Sequence, residues 1–394
     1  MQPAIQPNEP EERRLLRDSV ATFVSAENPP EKLRAMRALP EGFDRARWRQ
    51  MAGFGWLCLD VPEAAGGLGL GYADLAVLHE ELGRGPMPEP FAAAALGAGA
   101  LVACESPEFK QRWLPKLWSG EAIATLAWQG APGALGAEDI GFTATVIRMG
   151  TEDGYRIDGE AIFVPLAGVA ELLVVAARCH DGVALFALGN DIPGLIIEQQ
   201  HAADHSVVGT ITLNAVTVAA TACIVSPRHG AALLEKLLDR ARFAAAAELL
   251  GAMHSALDLT LTYLRTREQF GRPIGSFQAL QHQAVDLYMQ LELSRGSVMG
   301  ATKALDAATG WALDAGAADA ALLVAAAKAR CSDAAIRLGG KAVHLHGAIG
   351  VTEEYALGLY LRRMHLLSAW LGNGNAMRRR YKALALHDYA REAA

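Results

Sequence analysis

The residues best placed to do chemistry lie between Tyr263 and Asp286, in the string YLRTREQFGRPIGSFQALQHQAVD. A helical run enters this string, a break from Arg267 to Ile274 interrupts it, and Phe277-Gln278 opens a second helical run. Gly271 and Pro273 stop the first helix, because glycine tolerates left-handed backbone and proline lacks the N–H donor. Arg267, Gln269 and Gln278 therefore stand at the ends of two helices, where polar side chains can converge on something outside the bundle. Taken singly, an Arg at a helix end is more often a solvated charge. A second pattern, Lys341 to Thr352, carries His344 and His346 two residues apart at a helix–loop junction, where either a ligand-facing donor or local structure is possible. The five cysteines (Cys58, Cys104, Cys179, Cys223, Cys331) are scattered without a C-x-x-C pair. Neither a metal site nor a disulfide framework is expected, and a reducing cytoplasm is the default.

The elements that position these residues follow from length and periodicity. At 394 residues the chain exceeds one small core, so two or three domains are expected. A net charge of −7 argues against nucleic acid, which calls for a basic patch. The first residues, MQPAIQPNEPEERR, contain no apolar segment of the kind a secretory signal needs. The longest apolar run, Phe91 to Cys104, is too short to cross a bilayer and reads as a buried helix.

Residues 1–120 form a first, helical unit, with helices over Glu11–Val24, Phe43–Gly53, Tyr72–Gly83 and the Ala-rich stretch after Pro90, each with apolar residues at three and four. Residues 121–225 change texture. Thr143–Ile147, Tyr155–Ile157, Leu172–Ala177, Val183–Leu188 and Thr210–Val218 read as strands, with a turn at Glu152-Asp153-Gly154, and together predict a small β barrel or sandwich. Residues 226–394 return to long helices interrupted at Gly271–Pro273, Gly310 and His346–Gly350, which predicts a bundle.

The Tyr263–Asp286 string closely resembles the signature helix–loop–helix of acyl-CoA dehydrogenases, and the order helices, β domain, helical bundle is that family's architecture. Trp48, Gly55-Trp56-Leu57, Val61-Pro62-Glu63 and Gly66–Leu70 are similar to its N-terminal pattern. The resemblance implies an α+β fold with an N-terminal helical domain, a middle β-barrel domain and a C-terminal four-helix bundle. It implies FAD as cofactor, with Arg267, Gln269, Phe270 and Gln278 reaching the FAD of a neighbouring subunit. Lys341–Thr352 is similar to the family's Gln-x-x-Gly-Gly-x-Gly loop against the adenine and pyrophosphate, which implies FAD contacts at His344, His346, Gly347 and Ala348. His344 stands in place of the usual Gln, and Ala348 in place of the second Gly. Asp239 and Arg242 match the segment lining the acyl-CoA tunnel and are implied thioester contacts, although a bare Asp and Arg at i, i+3 read as an exposed pair.

The departures carry as much information. Removing the α-proton of a thioester while flavin takes the β-hydride needs a carboxylate. The family places it before a Gly-Thr near the C-terminus, or on the earlier helix just before the ligand-contacting Arg. These positions hold Leu371, in Trp370–Asn375, and Ala241. Glu235, Asp239 and Glu248 are the nearest other carboxylates in sequence. On the flavin side, Ala127–Pro132 and Ile162–Leu166 replace segments whose hydroxyls bond the ring. Gln129 is left as a substitute donor, and Trp128 either stacks on the ring or packs in the core. Asn373 and Asn375 join the implied FAD contacts. Phe163-Val164-Pro165, Leu371-Gly372-Asn373 and Leu345–Glu354 resemble a bacterial subgroup that often works as paired unlike subunits on bulky substrates such as steroid side-chain thioesters. The resemblance therefore implies α,β-dehydrogenation of an acyl-CoA, with an electron-transfer flavoprotein as electron acceptor. The assembly is expected to be a homo-oligomer or an α2β2 complex, in the cytoplasm and without membrane insertion. A non-catalytic partner subunit and non-redox CoA-thioester chemistry are the alternatives.

Overall fold

The computed structural model describes residues 9–308 and 318–392. Six helices come first: α1 Glu11–Glu27, α2 Pro30–Arg37, α3 Arg45–Gly53, α4 Tyr72–Arg84, α5 Phe91–Val102 and α6 Pro107–Trp118. Two of their starts are capped by side chains: the Asp44 carboxylate accepts from Ala46 N at 2.7 Å and the Ser106 hydroxyl from Phe109 N at 3.4 Å. α5 is the apolar run after Pro90; it is buried nearly all round because α6, α7 and the sheet surround it.

The strands follow as β1 Ala124–Ala127, β2 Phe142–Met149, β3 Glu152–Pro165, β4 Leu172–Cys179, β5 Gly182–Gly189, β6 Leu195–His201, β7 Val207–Ala219 and β8 Cys223–Val225. They make one eight-stranded sheet in the order β6-β7-β3-β2-β4-β5-β8, with β1 parallel to β4. The turn expected at Glu152–Gly154 lies earlier. Met149 pairs with Glu152, so Gly150-Thr151 forms the two-residue loop, and Gly150 supplies the required positive φ of 65°. Glu152–Gly154 opens β3 instead.

The C-terminal helices are α7 Pro227–Thr266, α8 Gln278–Ala307, α9 Ala318–His346, α10 Leu357–Ala369 and α11 Gly374–Glu392. α7, α8 and α11 pack on α9, while α10 packs against α7 and α9. α7 ends at Thr266 and α8 begins at Gln278, so the Arg267–Phe277 break is confined to a short hairpin, with Arg272 paired to Gln269. The interruption expected at Gly310 lies outside the described residues. No helix among the described residues is long and apolar enough to cross a membrane.

Candidate functional site

The loop between α10 and α11 is the centre of the site. Leu371 and Gly372 both take positive φ, 58° and 110°, which turns the chain sharply after Trp370. A leucine there is strained, and strain of this kind persists only where neighbours hold it. Two buried cations do so. Arg242, on α7 and fully buried, donates from Nε to Leu371 O at 3.2 Å, from Nη1 to the Asp239 carboxylate at 2.7 Å, and from Nη2 to Leu135 O. Lys328, on α9 and equally buried, donates to Gly372 O at 2.9 Å, Ser368 O at 3.2 Å and Ser332 Oγ at 3.0 Å. Three acceptors match the three N–H groups of an ammonium.

Lys328 has no motif to mark it, since a lysine in an Ala-rich helix reads as surface. Burial pushes its pKa down to about 7, and the Arg242 charge adds to the effect. The unfolded chain keeps this proton until about 10.5. Between these values the unfolded state holds more protons than the folded one, so this group makes stability rise with pH, by at most about 1.4 kcal/mol per unit. Lys328→Met is expected to remove that rise, which thermal melts between pH 7 and 10 measure; an unchanged profile would show that Lys328 does not titrate there.

Leu371 and Trp370 line a cleft shared with Trp128, Gln129 and the Ile162–Pro165 edge of β3. Phe163 also takes a positive φ of 51° at the bulge in β3 and is half exposed. Trp128 is buried in the core. Gln129 keeps its amide near Ala131 O at 3.1 Å, while its backbone accepts from Ile162 N at 2.8 Å.

A larger cavity lies beyond Leu96, which faces both spaces. Its wall is mostly apolar and it opens in part to solvent. α4, α5, α7 and β1 enclose it, and alanines 92, 94, 95, 122, 241 and 244 keep it wide. Ala241 thus opens on the cavity and Leu371 on the cleft. The tertiary structure brings the two base positions to one apolar cluster that also holds Leu96 and Trp128.

The carboxylates nearest in sequence are all engaged elsewhere. Asp239 is shared by Arg242 and Arg380 (2.9 Å), Glu235 accepts from Ala137 N at 2.8 Å and meets Arg380 at 3.0 Å, and Glu248 meets Arg363 at 2.6 Å. Asp239 and Arg242 are therefore no exposed pair but a buried network whose donors and acceptors serve the protein. The cavity does contain one carboxylate that no sequence pattern marks, Asp60, ion-paired with Arg240, whose Nη1 also donates to the Tyr72 hydroxyl at 3.2 Å.

The remaining residues fall in two places: one set gathers at the far ends of α7, α8 and α9, and Asn373 and Asn375 lie at the start of α11. Arg267, Gln269, Phe270 and Gln278 are exposed at the α7–α8 hairpin, Phe270 at 90% and with φ 55°. His344 is exposed on α9, and Gly347 and Ala348 are exposed in the 3₁₀ turn Gly347–Val351. Gly347 takes φ 65° with open space where a Cβ would sit. His346 points inward: Nδ1 bonds Ala342 O at 2.8 Å, Nε2 meets the Tyr355 hydroxyl at 3.2 Å, and the ring stacks on Tyr263 at 4.6 Å. Both its nitrogens are used within the protein, so its place is packing rather than ligand contact. Asn373 and Asn375 are exposed at the start of α11, where Asn373 Oδ1 accepts from Ala376 N at 3.0 Å. No hydrogen bond among the described residues links the hairpin to the Leu371 cleft.

This fold belongs to a known class: the chain is a member of the acyl-CoA dehydrogenase family, FAD flavoproteins that oxidise CH–CH bonds. Residues 10–121 match the acyl-CoA dehydrogenase N-terminal domain, and residues 228–384 match its C-terminal domain. Acyl-CoA dehydrogenase FadE27 of Mycobacterium tuberculosis is 31% identical over 92% of this chain and 93% of its own, and acyl-CoA dehydrogenase IpdE2 of Mycolicibacterium smegmatis is 30% identical over 95% and 98%. Among solved structures, a variant of the Tcur3481-Tcur3483 steroid acyl-CoA dehydrogenase superposes with a TM-score of 0.82 at 32% identity, covering 96% of this chain and 99% of that one. The ChsE4-ChsE5 complex from Mycobacterium tuberculosis superposes at 0.85 with 29% identity over 96% and 98%.

Proposed function

We propose that this chain is a subunit of an FAD-dependent acyl-CoA dehydrogenase whose proton-abstracting carboxylate is supplied by a related partner subunit. The observation that carries this reading is the pairing of Leu371 and Ala241 at the two base positions, beside an open acyl cavity whose one carboxylate, Asp60, is already matched by Arg240. The two structural neighbours named above each carry two named components, ChsE4 with ChsE5 and Tcur3481 with Tcur3483. Assembly with another subunit fits this chain for its own reason: α8 exposes Val285, Tyr288, Met289 and Leu293 along one stripe, an apolar face of the kind a subunit interface covers, in a homo-oligomer or an α2β2 complex alike.

The residues present fit FAD. Arg267 offers an exposed guanidinium, and Gln278 begins a 30-residue helix whose free N–H groups favour phosphate. Gln269, Phe270, His344, Gly347 and Ala348 surround the same end, while Gln129, Asn373 and Asn375 flank the Leu371 cleft. When bound, FAD supplies the hydride acceptor for the oxidation. The chain's own residues hold the pyrophosphate, shape the acyl cavity and exclude water from it. Electrons would then leave to an electron-transfer flavoprotein, in the cytoplasm.

Arg267→Ala is expected to lower the flavin-to-protein ratio with unchanged far-ultraviolet circular dichroism; equal flavin content in the variant would remove Arg267 from the site. Anaerobic mixing of the FAD-loaded protein with short, long and steroid-like acyl-CoA thioesters, alone and with candidate partner subunits, tests the whole reading through flavin bleaching. A second reading rests on Asp60: if the homo-oligomer bleaches by itself and Asp60→Asn stops it, this chain carries its own base.

A further inference from the structure

One side chain, Lys328 of α9, spans the strained turn that carries Leu371. It is fully buried, and its Nζ donates to Ser368 O on one side of the turn, to Gly372 O on the other, and to Ser332 Oγ. All three acceptors are uncharged. The charged and titratable groups around it give an ammonium little help. α7 brings Arg242, which repels it, and Asp239 beyond is already shared by Arg242 and by Arg380 of α11. α9 itself brings Cys331, whose thiol burial pushes up to about 12 and so keeps neutral, and Asp333, which is paired with Arg378 of α11. α8 reaches this neighbourhood through Ser294, on the Cys331 thiol. α10 faces it with main-chain oxygens and with Ser368, whose hydroxyl donates to Ser332 O at 3.3 Å. Among the described residues no carboxylate pairs with Lys328.

A buried ammonium without a counter-charge is costly even when its N–H groups are bonded. The neutral amine fits this place better. Its two N–H groups serve Ser368 O and Gly372 O, and the Ser332 hydroxyl, which can donate as well as accept, turns its O–H to the lone pair. We infer that the Trp370–Gly374 turn is a gate on the cleft that opens with uptake of a proton by Lys328, so that it stands open more often near neutral pH than in alkaline solution. While the turn is closed, burial and the Arg242 charge hold Lys328 down to about 7; once it opens, water reaches Nζ and the ordinary value of 10.5 returns. Between these two values the open form holds one proton more, so each unit of falling pH favours opening by up to about tenfold. Below about 7 both forms are charged and the dependence ends. Strain at Leu371 favours the open form as well, while burial of Leu371 and Trp370 in the cluster with Leu96 and Trp128 favours the closed one. Trp370 and Leu371 line the cleft, so opening the turn unseals it. The gate stands on the turn's own contacts, whatever thioester the cleft takes.

The test is hydrogen–deuterium exchange, read by mass spectrometry on the FAD-loaded protein at pH 7, 8 and 9 and corrected for the pH dependence of exchange in an unstructured chain. A peptide spanning Leu366 to Met377 is compared with one from β4, which is buried on both faces and reports unfolding of the whole protein. The turn is expected to be less protected than β4, and its protection to rise with pH at a slope approaching about tenfold per unit. Lys328→Met and Lys328→Gln cannot titrate, and each should lose that rise. Lys328→Gln keeps two N–H donors for the turn's carbonyls, so it tests the gate even where Lys328→Met fails to fold; circular dichroism melts establish which variants are folded. A turn as protected as β4 opens only when the whole protein unfolds, which would overturn the inference. A flat profile in the unmodified protein, or an equal rise in either folded variant, would overturn it too.

Discussion

Ala241→Glu is expected to raise the rate at which acyl-CoA bleaches the FAD of this protein by about 10²–10⁴-fold, the usual contribution of a positioned general base. Ala241 is almost fully buried on α7 and opens into the larger cavity, so a carboxylate there enters a largely apolar space. That setting raises a carboxyl pKa toward the range a base for the thioester α-proton needs, at some cost in stability. Leu371→Glu is the matching test from the other side. Its backbone is held by Arg242 at the carbonyl, and glutamate tolerates the 58° φ no worse than leucine. Stopped-flow absorbance under anaerobic conditions, with one fixed thioester, measures all three proteins. Fast bleaching by the unmodified homo-oligomer would show that a base is already present and would falsify the partner-subunit reading.

Removing the Arg242 clamp should have the largest effect on stability at the site. Arg242→Met leaves the Leu371 and Leu135 carbonyls without their donor and strips Asp239 of one of its two cations. Breaking a buried charge pair by removing one partner costs about 3–5 kcal/mol. The expected result is a lower urea midpoint for the FAD-loaded protein, together with weaker thioester binding as the Trp370–Gly374 loop loosens. Arg242→Lys keeps the charge but not the planar fork, so it should recover only part of the loss. A midpoint shift equivalent to less than about 1 kcal/mol, typical of exposed pairs, would show that the loop holds its shape without Arg242.

Local chemistry made much of the architecture legible. The end of α7 at Thr266 and the start of α8 at Gln278 follow from Gly271 and Pro273, which act on their own backbone and need no distant partner. β4 and β5 are readable because both are continuous apolar runs buried on both faces. β1 and β6 are not, for opposite reasons. β1 is four residues long and exists because it pairs with β4, whereas β6 is largely exposed and polar and is held by β7. The misplaced turn before β3 has the same origin: two adjacent turn signals compete, and cross-strand register decides between them.

The amino-acid sequence by itself determined membership of the family, the three textures of the chain, the helix break between Thr266 and Gln278, and the absence of a carboxylate at positions 241 and 371. These are matters of residue identity and short-range spacing. Only the tertiary structure decided that Arg242 and Lys328 are buried clamps on the Leu371 loop, that His346 is packing, and that Asp60, Trp48 and His79 share a cavity with Ala241. Each of those depends on partners scores of residues away or on burial, and a side chain's charge, donors and reach acquire a role only once the fold has chosen its neighbours.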